Sequence, residues 1–578
     1  MIATVAPELP TNAELAARFE LLSDLLELDG ADRFRLAAYR KAAQRIRDSA
    51  TPVARLALEG TATRLDGIGA TIESKIVELV ETGDLNALRK VRERVPEGLV
   101  ELLRVPGLGP KTIRLVRERL GVASLADLRA AAEEGRLRDL PGLGAKTEEK
   151  VLAYVARPAS DVRTGRALLG RALPVVEAVV AELRAHPACD RVSEAGSVRR
   201  RCETVKDVDV IATSSDAAAL IEHFATLPFV ADVVARGDTK VTVVGQDGLQ
   251  VDLRVVPPAC YGNLLQHFTG SKAHNVALRE EAVRRGLSIS EWGVKVEETG
   301  ETVTHEREDE LYAFLGYAWI PPELREGAGE LEAARAGGLP ALVAPGDLRG
   351  DLHCHTTWSD GKATLEEMAL AALARGYEYL AICDHAKRLK DGRLERQAEA
   401  IAELNARLDG LTVLSGVEVD IRADGSLDLP DDQLAACDWV VASVHAGFRD
   451  GRDALTARLL AAIEHPHVDC IGHLTGRKIN TRPPYELDLD AVFARAAETG
   501  TVLEINGQPD RLDLRDAHAR AAAAAGVRIV CTSDGHSTAA LDYADLAVAQ
   551  ARRAWLRRED VLNTLPWADL ARRRKGSA

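Results

Sequence analysis

The stretch DLHCHTTWSDG, residues 351–361, places His353 and His355 two positions apart and Asp360 five positions after the second histidine. Side chains at such a spacing on a strand project to the same face, so both imidazoles would point into one space. Neutral imidazole nitrogens are ligands for Zn²⁺, Mn²⁺ or Fe²⁺, and a carboxylate in the following loop can reach a neighbouring ion. The stretch therefore predicts a strand that leads into a metal site.

The chain after residue 350 repeats this arrangement. Strand-like segments such as YLAICDH, LTVLSGVEVDI and VRIVCTSDGH alternate with alanine-rich helical segments, which is typical of a parallel βα architecture that closes towards a barrel. The acidic and imidazole residues at the predicted strand ends are His385, Glu418, His445, His473, Asp534 and His536. One histidine at a strand end is usually structural, but a series around one barrel indicates metal. His465, His467 and His518 lie elsewhere in the pattern and are predicted to be surface residues.

Composition excludes several classes of protein. The 578 residues are 46% hydrophobic and 28% charged, which indicates a multidomain globular chain. No apolar run approaches the roughly 20 residues of a membrane span, and the start lacks the pattern of a signal peptide. We therefore expect a cytoplasmic protein without a membrane partner. The 8 cysteines include no C-x-x-C pair, which favours reduced core thiols over disulfides.

Charge is segregated along the chain. The net charge is −15, and residues 301–550 carry most of the acidic excess, whereas residues 101–200 are net basic. A nearly neutral to basic front half is compatible with a polyanionic partner such as DNA, and an acidic rear half is what carboxylate-rich metal sites produce. Between the halves, Pro, Gly and Glu accumulate in residues 318–346, which predicts a linker.

The front region contains a repeat of G-x-G followed by a helical segment that carries lysine. The three copies are LDGIGATIESKIVEL (65–79), VPGLGPKTIRLV (105–116) and LPGLGAKTEEKVL (140–152), with glycine pairs Gly67 and Gly69, Gly107 and Gly109, and Gly142 and Gly144. Glycines permit a tight turn, so that backbone N–H groups and the positive end of the helix dipole can face a phosphate without reading a base. The alternative is a generic helix-packing device. The copies resemble helix-hairpin-helix motifs, which implies binding to the DNA backbone.

A second group of carboxylates lies in AGSVRRRCETVKDVDVIAT, residues 195–213. In DVDVI, Asp207 and Asp209 alternate with valines and project to one face of a strand. The later strand LQVDLRVVP offers Asp252 and Arg254 on one side. Three aspartates from two strands suffice to hold two Mg²⁺ ions for phosphoryl transfer.

The residues before the aspartates fit a phosphate-binding role. Gly196 and Ser197 predict a turn that faces phosphate, and Arg200 is predicted to clamp a triphosphate through a bidentate contact. The alternative for an isolated D-x-D is a solvated edge with an ion-paired arginine. The ordered succession of G-S, arginines, D-x-D and a third aspartate favours the catalytic interpretation.

Residues 1–317 resemble a family X DNA polymerase, the group that includes polymerase beta. The family motif matches Gly196, Ser197, Arg199, Arg200, Asp207 and Asp209, with Asp252 as the third metal-binding aspartate. HFTGSKAHNVALR resembles the thumb motif that lines the nucleotide pocket. The resemblance implies sugar packing for Phe268, close backbone approach for Gly270, a minor-groove contact to the incoming nucleotide for Asn275 and a template contact for Arg279.

This sequence departs from the family pattern at several positions. His267 stands where polymerase beta has the Tyr of a Tyr-Phe pair, and Lys206 and Arg201 replace glycines. These changes bear on sugar discrimination and on metal affinity. Lys75 falls where animal relatives keep a Schiff-base lysine that removes deoxyribose phosphate, although a lysine on a helix surface is usually just solvated.

Residues 347 to about 575 resemble the PHP (polymerase and histidinol phosphatase) domain, a distorted seven-stranded βα barrel with a trinuclear metal site. The resemblance implies three ligand sets: His353, His355, Glu418 and Asp534; Asp360, His385 and His536; and Glu418, His445 and His473. It implies up to three Mn²⁺, Zn²⁺ or Fe²⁺ ions. Arg477, after GHLTG, is expected to clamp the substrate phosphate.

Together the two halves resemble the bacterial and archaeal polymerase X enzymes. We expect a multidomain fold of all-α helix-hairpin-helix domains, an α+β nucleotidyltransferase palm and thumb, and a C-terminal distorted (βα)7 barrel. The expected boundaries are 1–82 for an N-terminal helical domain like the 8-kDa domain, 83–160 for a fingers-like helical domain, 161–256 for the palm, 257–317 for the thumb, 318–346 for the linker and 347–578 for the PHP domain.

The resemblance implies a gap-filling repair polymerase with a second site that removes 3′ nucleotides, 3′ phosphates or abasic lesions. Its polymerase site would use Mg²⁺ or Mn²⁺. The expected partners are gapped or primer-template DNA and dNTPs, and the chain is expected to be a monomer associated with the nucleoid. Two alternatives stay open: a PHP domain that is catalytically silent, and a DNA-binding nuclease whose palm is weakened.

Overall fold

The helical apolar spacing of residues 10–160 predicts that the front region folds into helices. The computed structural model describes residues 9–10, 12–48, 53–65, 67–105, 107–155, 166–246 and 248–572. The chain divides into two units, Met1–Gly165 with Asn480–Asp490, and Arg166–Ile479 with Ala491–Ala578. The prediction of helices without strands in the front region is confirmed for the described residues before Ala167.

Eight helices form the described part of this front region. They are α1 Asn12–Asp29, α2 Arg33–Asp48, α3 Val53–Leu58, α4 Ala70–Thr82, α5 Asn86–Arg92, α6 Pro110–Leu120, α7 Leu125–Glu133 and α8 Ala145–Val155. Their apolar faces meet in one core, to which Phe19, Ile76, Ile113 and Val151 contribute fully buried side chains. The burial of these apolar side chains in a common core is therefore what assembles the unit.

The palm begins the second unit and is built around a five-stranded sheet. Its elements are β1 Ala167–Leu168, α9 Leu169–Ala185, β2 Cys189–Ala195, α10 Gly196–Arg199, β3 Thr204–Val205, β4 Asp207–Ser214, α11 Ala217–Ala225, β5 Val230–Arg236, β6 Lys240–Gly245 and β7 Gln250–Val256. The sheet order is β2-β4-β7-β6-β5, and the central strands β4 and β7 are parallel. Valines and leucines of these strands pack against α9 and α11. The opposite face carries the aspartates, and there Ile211 and Val256 pack against Tyr261 and Leu264.

The thumb follows the palm directly. Its elements are α12 Tyr261–Thr269, α13 Lys272–Arg284, β8 Leu287–Ser290, β9 Gly293–Val296, β10 Thr302–Val303 and α14 Glu308–Phe314. The three strands form an antiparallel sheet in the order β10-β9-β8. Helix α12 carries the sequence YGNLLQHFT and ends at Thr269, so the residues of the predicted nucleotide pocket lie around its last turn and the start of α13.

The prediction of a linker at residues 318–346 is wrong. This segment contains helix α15, Glu330–Ala336, and its apolar residues Ile320, Leu324 and Leu331 are buried in one core with Tyr312 of the thumb. Its prolines and glycines mark turns, while the residues between them pack against the thumb. The segment is therefore a packed extension of the thumb.

A buried ion triad fastens this extension. Glu308 accepts hydrogen bonds from Arg199 of the palm at 2.8 and 2.7 Å and is ion-paired with Arg325, which is fully buried. Burial alone would raise the pKa of Glu308, but the Arg325 and Arg199 guanidinium groups outweigh it and lower that pKa to about 2. The triad joins the palm, the thumb and the extension through one carboxylate.

We expect Glu308→Gln to lower the free energy of unfolding by about 3–5 kcal/mol, because it leaves the Arg325 charge buried without an anionic partner. The pKa of Glu308 is lower in the folded protein than its usual value of 4.5, so the ionised carboxylate stabilises the fold above about pH 4.5. This stabilisation is lost as the pH falls towards 2. The difference between wild type and variant should therefore shrink with acidification in urea titrations. Glu306→Gln, at an exposed pair with Arg191, is the matched control and should cost little. Equal stability of both variants at neutral pH would contradict the triad.

The remainder of the second unit is a parallel barrel. Its strands are β11 Gly350–Cys354, β12 Tyr379–Ile382, β13 Thr412–Asp420, β14 Trp439–Ser443, β15 Cys470–Ile471, β16 Val502–Asn506 and β17 Ile529–Thr532. Its helices are α16 Leu365–Ala374, α17 Arg393–Asn405, α18 Asp431–Ala435, α19 Arg452–Glu464, α20 Leu489–Thr499, α21 Asp516–Ala524, α22 Tyr543–Arg553 and α23 Trp567–Ala571.

All seven strands pair in parallel and in sequence order, and a bridge between Cys354 and Gly535 brings the last strand back to the first. The predicted seven-stranded βα barrel is confirmed. Every carboxyl end therefore opens on the same side, where parallel barrels carry their functional residues.

Among the described helices, none combines the length and the apolarity needed to cross a membrane.

His518, predicted to be a surface residue, lies buried on α21 with 7% of its surface exposed. Burial and the nearby Arg515 lower its pKa to about 3, so it is held neutral inside the fold. The surface prediction was wrong because α21 turns this side chain inward.

Candidate functional site

The barrel gathers the predicted metal ligands at the carboxyl ends of its strands. His353 of β11 and His355, directly after the end of this strand, are fully buried, and the His355 Nε2 atom lies 3.2 Å from the Asp534 Oδ1 atom. Glu418 lies at the centre, with its carboxylate 2.8 Å from His385, 3.3 Å from His445 and 3.2 Å from His473. Residues up to 181 positions apart in sequence therefore share one polar hollow.

Three groups of these side chains are close enough to hold a cation each. They are His355, Asp360, His385 and His536; His353, His355 and Asp534; and His385, Glu418 and His445. The expected sets differ slightly from these groups, because His355 also faces Asp360 and His385 also faces Glu418. His473 contacts Glu418 without entering a group among the described residues.

The donor atoms of this hollow fit divalent cations. Among the residues that the structure describes, the buried His353 Nε2, His473 Nδ1 and Glu418 Oε1 atoms make no hydrogen bond. Such orphaned buried atoms are costly unless another partner satisfies them. Burial would raise the pKa of Glu418 and of Asp534, but the neighbouring imidazoles hold both pKa values well below the usual range. The carboxylates are thus ionised and suited to bind metal.

A second layer of carboxylates orients the imidazoles, and sequence reasoning missed it. The Nδ1 atom of His353 lies 2.7 Å from Glu504, and the Nδ1 atom of His445 lies 2.6 Å from Asp420. A hydrogen bond at one ring nitrogen fixes the tautomer and leaves the other nitrogen as a metal ligand. The signal in the sequence was the alternation in VEVD and VLEIN, which places each acid on the inward face of its strand.

A cavity of about 420 Å³ opens over the ligands, and its lining includes the cations Lys387, Lys478 and Arg511. The Arg511 Nε atom lies 3.9 Å from Asp534 Oδ2. Arg477, expected to clamp phosphate, instead donates to the Arg511 carbonyl at 2.8 Å and to Glu203 of the palm at 2.8 Å. The Arg477 guanidinium is thus absent from the cavity lining, and its role as a phosphate clamp stays a prediction.

The palm brings its three aspartates together on two parallel strands. Asp209 of β4 stands directly opposite Asp252 of β7 in register, and Asp207 precedes it on the same face. Burial, then Asp207 and Asp252, raise the pKa of Asp209 to about 7. This crowding of carboxylates is unfavourable unless cations neutralise it, so the residues present fit divalent ions.

The orientation of Asp252 is fixed by its neighbours. Its carboxylate accepts hydrogen bonds from the Thr242 hydroxyl and, at 2.8 Å, from Gln250, and the Lys240 Nζ atom lies 3.0 Å away. Burial favours the neutral acid, but these three contacts outweigh it and lower the pKa of Asp252. Lys206, which replaces a glycine of the family, is exposed.

The turn before the aspartates requires glycine. Gly196 has a φ of +64°, and a Cβ there would lie 2.3 Å from the Asp209 Oδ2 atom. The backbone of this turn, including Ser197, therefore approaches the acidic site closely. Arg200, predicted to clamp a triphosphate, donates instead to Glu326 at 2.9 Å and to the Thr269 carbonyl at 2.8 Å. Its guanidinium thus links the palm to the thumb.

The predicted nucleotide pocket is assembled at the junction of α12 and α13. The His267 and Phe268 rings lie 5.3 Å apart, and the Arg254 guanidinium lies 4.5 Å from the Phe268 ring centre. Asn275 donates to the carbonyls of His267 at 2.8 Å and of Gly270 at 3.1 Å.

Two further contacts shape this pocket. A Cβ at Gly270 would lie 2.6 Å from the Asn275 side-chain oxygen, so the close approach requires glycine. The Arg279 guanidinium lies 3.1 Å from the His267 Nδ1 atom. Burial and this guanidinium lower the pKa of His267, so the ring is neutral beside Phe268.

The G-x-G turns of the front region share one geometry. The first glycine of each pair has a left-handed φ, +88° at Gly67, +86° at Gly107 and +82° at Gly142. Gly69 and Gly109 are the N-caps of α4 and α6, and nothing lies within 4 Å of a Cβ built at Gly69, Gly109 or Gly144. Each helix start is therefore open to a phosphate. Lys75 lies on α4 and is partly exposed.

Comparisons with known protein families agree with this organisation. Residues 10–85 match a helix-hairpin-helix domain, and residues 99–155 match a SAM-like helix-hairpin-helix tandem. Residues 264–326 match the DNA polymerase beta thumb, which reaches into the segment first taken for a linker. Residues 351–508 match the PHP domain.

Curated relatives resemble either the whole chain or the barrel. The chain is 39% identical over 559 residues to the DNA polymerase/3′-5′ exonuclease PolX of Bacillus subtilis (strain 168), covering 95% of this chain and 97% of the relative. A "Probable phosphatase" of Thermoanaerobacter sp. (strain X514) is 30% identical over 37% of this chain and 89% of its own length. Another, from Acetivibrio thermocellus, is 31% identical over 32% of this chain and 78% of its own length. The chain belongs to the family X DNA polymerases that carry a C-terminal PHP domain.

Proposed function

We propose that this protein is a DNA repair polymerase that fills short gaps by template-directed dNTP addition and trims 3′ ends in its PHP domain. The observation that carries the proposal is the presence of two separate carboxylate-rich centres, in the palm and in the barrel, on one chain with three open helix starts. The Bacillus subtilis relative is named for both activities. We propose that the chain acts as a monomer in the cytoplasm, at the nucleoid.

In the palm, Asp207, Asp209 and Asp252 would hold Mg²⁺ or Mn²⁺, which when bound neutralises the charge that develops on phosphate oxygens. Lys240 and Thr242 hold Asp252 in place for this role. The Gly196–Ser197 turn would present backbone N–H groups to the triphosphate. The exposed position of Lys206 argues against a weakened palm, since it is Lys240 that lies beside the carboxylates.

The thumb would select the incoming nucleotide. His267 and Phe268 would pack against the sugar, and Asn275 and Arg279 would approach the minor groove and the template. Two carbonyls hold the Asn275 side chain, and Arg279 contacts His267, so both side chains have partners before a nucleotide binds. The role of Lys75 in removing deoxyribose phosphate stays a prediction.

In the barrel, His353, His355, Asp360, His385, Glu418, His445, His473, Asp534 and His536 would hold up to three Mn²⁺, Zn²⁺ or Fe²⁺ ions. When bound, such ions supply a nucleophile at neutral pH and neutralise the phosphate under attack. Glu504 and Asp420 orient the imidazoles for this task. The convergence of every predicted ligand argues against a silent domain, which would need only some of them.

A time course on 5′-phosphorylated gapped DNA tests both sites at once. With Mg²⁺ or Mn²⁺ and dNTPs the primer should lengthen by the size of the gap, and without dNTPs its 3′ end should shorten. Parallel substrates with a 3′ phosphate or an abasic site define which ends the barrel accepts. A primer that neither lengthens nor shortens would refute the proposal.

We expect Arg511→Ala to slow 3′ digestion on the order of tenfold to a hundredfold, because it removes the guanidinium that lines the cavity beside Asp534. Gap filling should be unchanged. Arg388→Ala is the control, since this arginine is exposed and is absent from the cavity lining. An equal effect of the two substitutions on the rate of digestion would show that Arg511 has no specific role in the barrel site.

A further inference from the structure

The end of helix α22 of the PHP barrel contacts the palm backbone that follows the Gly196–Ser197 turn. The Arg553 side chain donates to the Arg200 carbonyl at 2.9 Å and contacts the Cys202 Sγ atom at 3.5 Å. Three residues earlier on the same helix, Gln550 donates to the Arg201 carbonyl at 3.2 Å. Residues more than 300 positions away thus bind the backbone that follows the Gly196–Ser197 turn.

Arg553 and Arg200, the predicted triphosphate clamp, bind the same carboxylate. The Glu326 Oε1 atom accepts hydrogen bonds from Arg200 Nε and from Arg553 Nη1, both at 2.9 Å. The other side of the Arg553 guanidinium pairs with Asp516 of α21 at 2.7 Å. Only 11% of the Arg553 side chain and 13% of the Arg200 side chain are exposed, so little water screens these contacts.

We propose that Arg553 of the PHP domain is a positioning residue for the polymerase reaction, holding the Arg200 backbone and balancing Glu326 so that the palm turn can bind the triphosphate of a dNTP. The inference rests on the proposed function of the palm. Without Arg553, the Arg200 carbonyl loses a charged hydrogen-bond donor, and Glu326 is left with Arg200 in place of two arginine partners. The carboxylate would then hold the Arg200 guanidinium more tightly against the pull of a nucleotide phosphate.

The experiment compares Arg553→Gln, Arg553→Lys and Arg552→Gln in the full chain. Arg552 is the matched control, because it lies on the same helix and pairs with Glu323 without touching the palm turn. Single-nucleotide insertion on gapped DNA with Mg²⁺ gives kcat and KM for the dNTP. Digestion of a single-stranded oligonucleotide with Mn²⁺ reports separately on the barrel.

For Arg553→Gln we expect KM for the dNTP to rise on the order of tenfold, the effect of losing a hydrogen bond to a charged group, with a much smaller change in kcat. Arg553→Lys should recover part of the loss, because it keeps the charge but lacks the forked donor. Arg552→Gln should behave like wild type, and all three variants should digest the oligonucleotide normally.

Two results would overturn the positioning role while wild type still fills gaps. One is an unchanged KM in Arg553→Gln, and the other is a parallel fall of insertion and digestion, which would show that Arg553 serves only the stability of the barrel. If wild type itself failed to extend the primer, the proposed function would fall, and the positioning role with it.

Discussion

Asp209→Asn is expected to reduce dNTP addition to a gapped primer by about a thousandfold or more, because it removes the carboxylate at the centre of the palm site. Metal ions that stabilise the charge of the transition state contribute several kcal/mol to phosphoryl transfer. Each factor of ten in rate corresponds to about 1.4 kcal/mol. Asp209 stands opposite Asp252 and next to Asp207, so no neighbouring side chain can replace its two oxygens. Digestion of 3′ ends should continue at the wild-type rate.

Stability measurements separate this loss from misfolding. Because Asp209 is crowded by Asp207 and Asp252, the neutral amide should raise the melting temperature when divalent ions are removed with a chelator. Asp190→Asn, at an exposed position of β2, is the control for the loss of one acidic side chain and should leave both readouts unchanged. Primer extension that persists in Asp209→Asn would show that the polymerase site lies elsewhere.

His353→Ala is expected to reduce Mn²⁺-dependent 3′ digestion by about a hundredfold or more, since the loss of a ligand costs metal affinity as well as rate. Gap filling should survive, because the palm site shares none of the candidate metal ligands of the barrel. The metal content of the purified chain should fall together with the digestion rate.

His353 is fully buried and paired with Glu504, so a second variant guards against simple unfolding. His536→Ala removes a half-exposed member of the same hollow and should also stop digestion while the barrel stays folded. His465→Ala is the control, because this histidine pairs with Asp431 outside the metal groups. Wild-type digestion in both His353→Ala and His536→Ala would disprove the metal site.

The ligand residues were predictable because their arrangement is local. Alternation along a strand sets the faces of His353 and His355 and of Asp207 and Asp209, and parallel strands deliver their carboxyl ends to one side of a barrel. The left-handed φ values at Gly67, Gly107 and Gly142 likewise follow from turns of a few residues. Which candidate ligands share a group was less predictable, because His355 and His385 each belong to two groups.

Long charged side chains were not predictable in the same way. Arg477 follows a strand end and looked like a phosphate clamp, yet Glu203, from another domain, takes its guanidinium. Arg200 is held by Glu326 in the same manner. An arginine can swing through several ångströms, so its partner depends on which anion the rest of the fold brings within reach.

By itself the sequence determined the helical front region, the two sets of candidate metal ligands and the parallel barrel, since each depends on patterns within single helices and strands. Only the tertiary structure decided that residues 318–346 pack against the thumb, that Arg511 lines the cavity in place of Arg477, and that Arg553 reaches the palm turn. These contacts join residues that are distant in the chain, and the packing of whole domains brings them together.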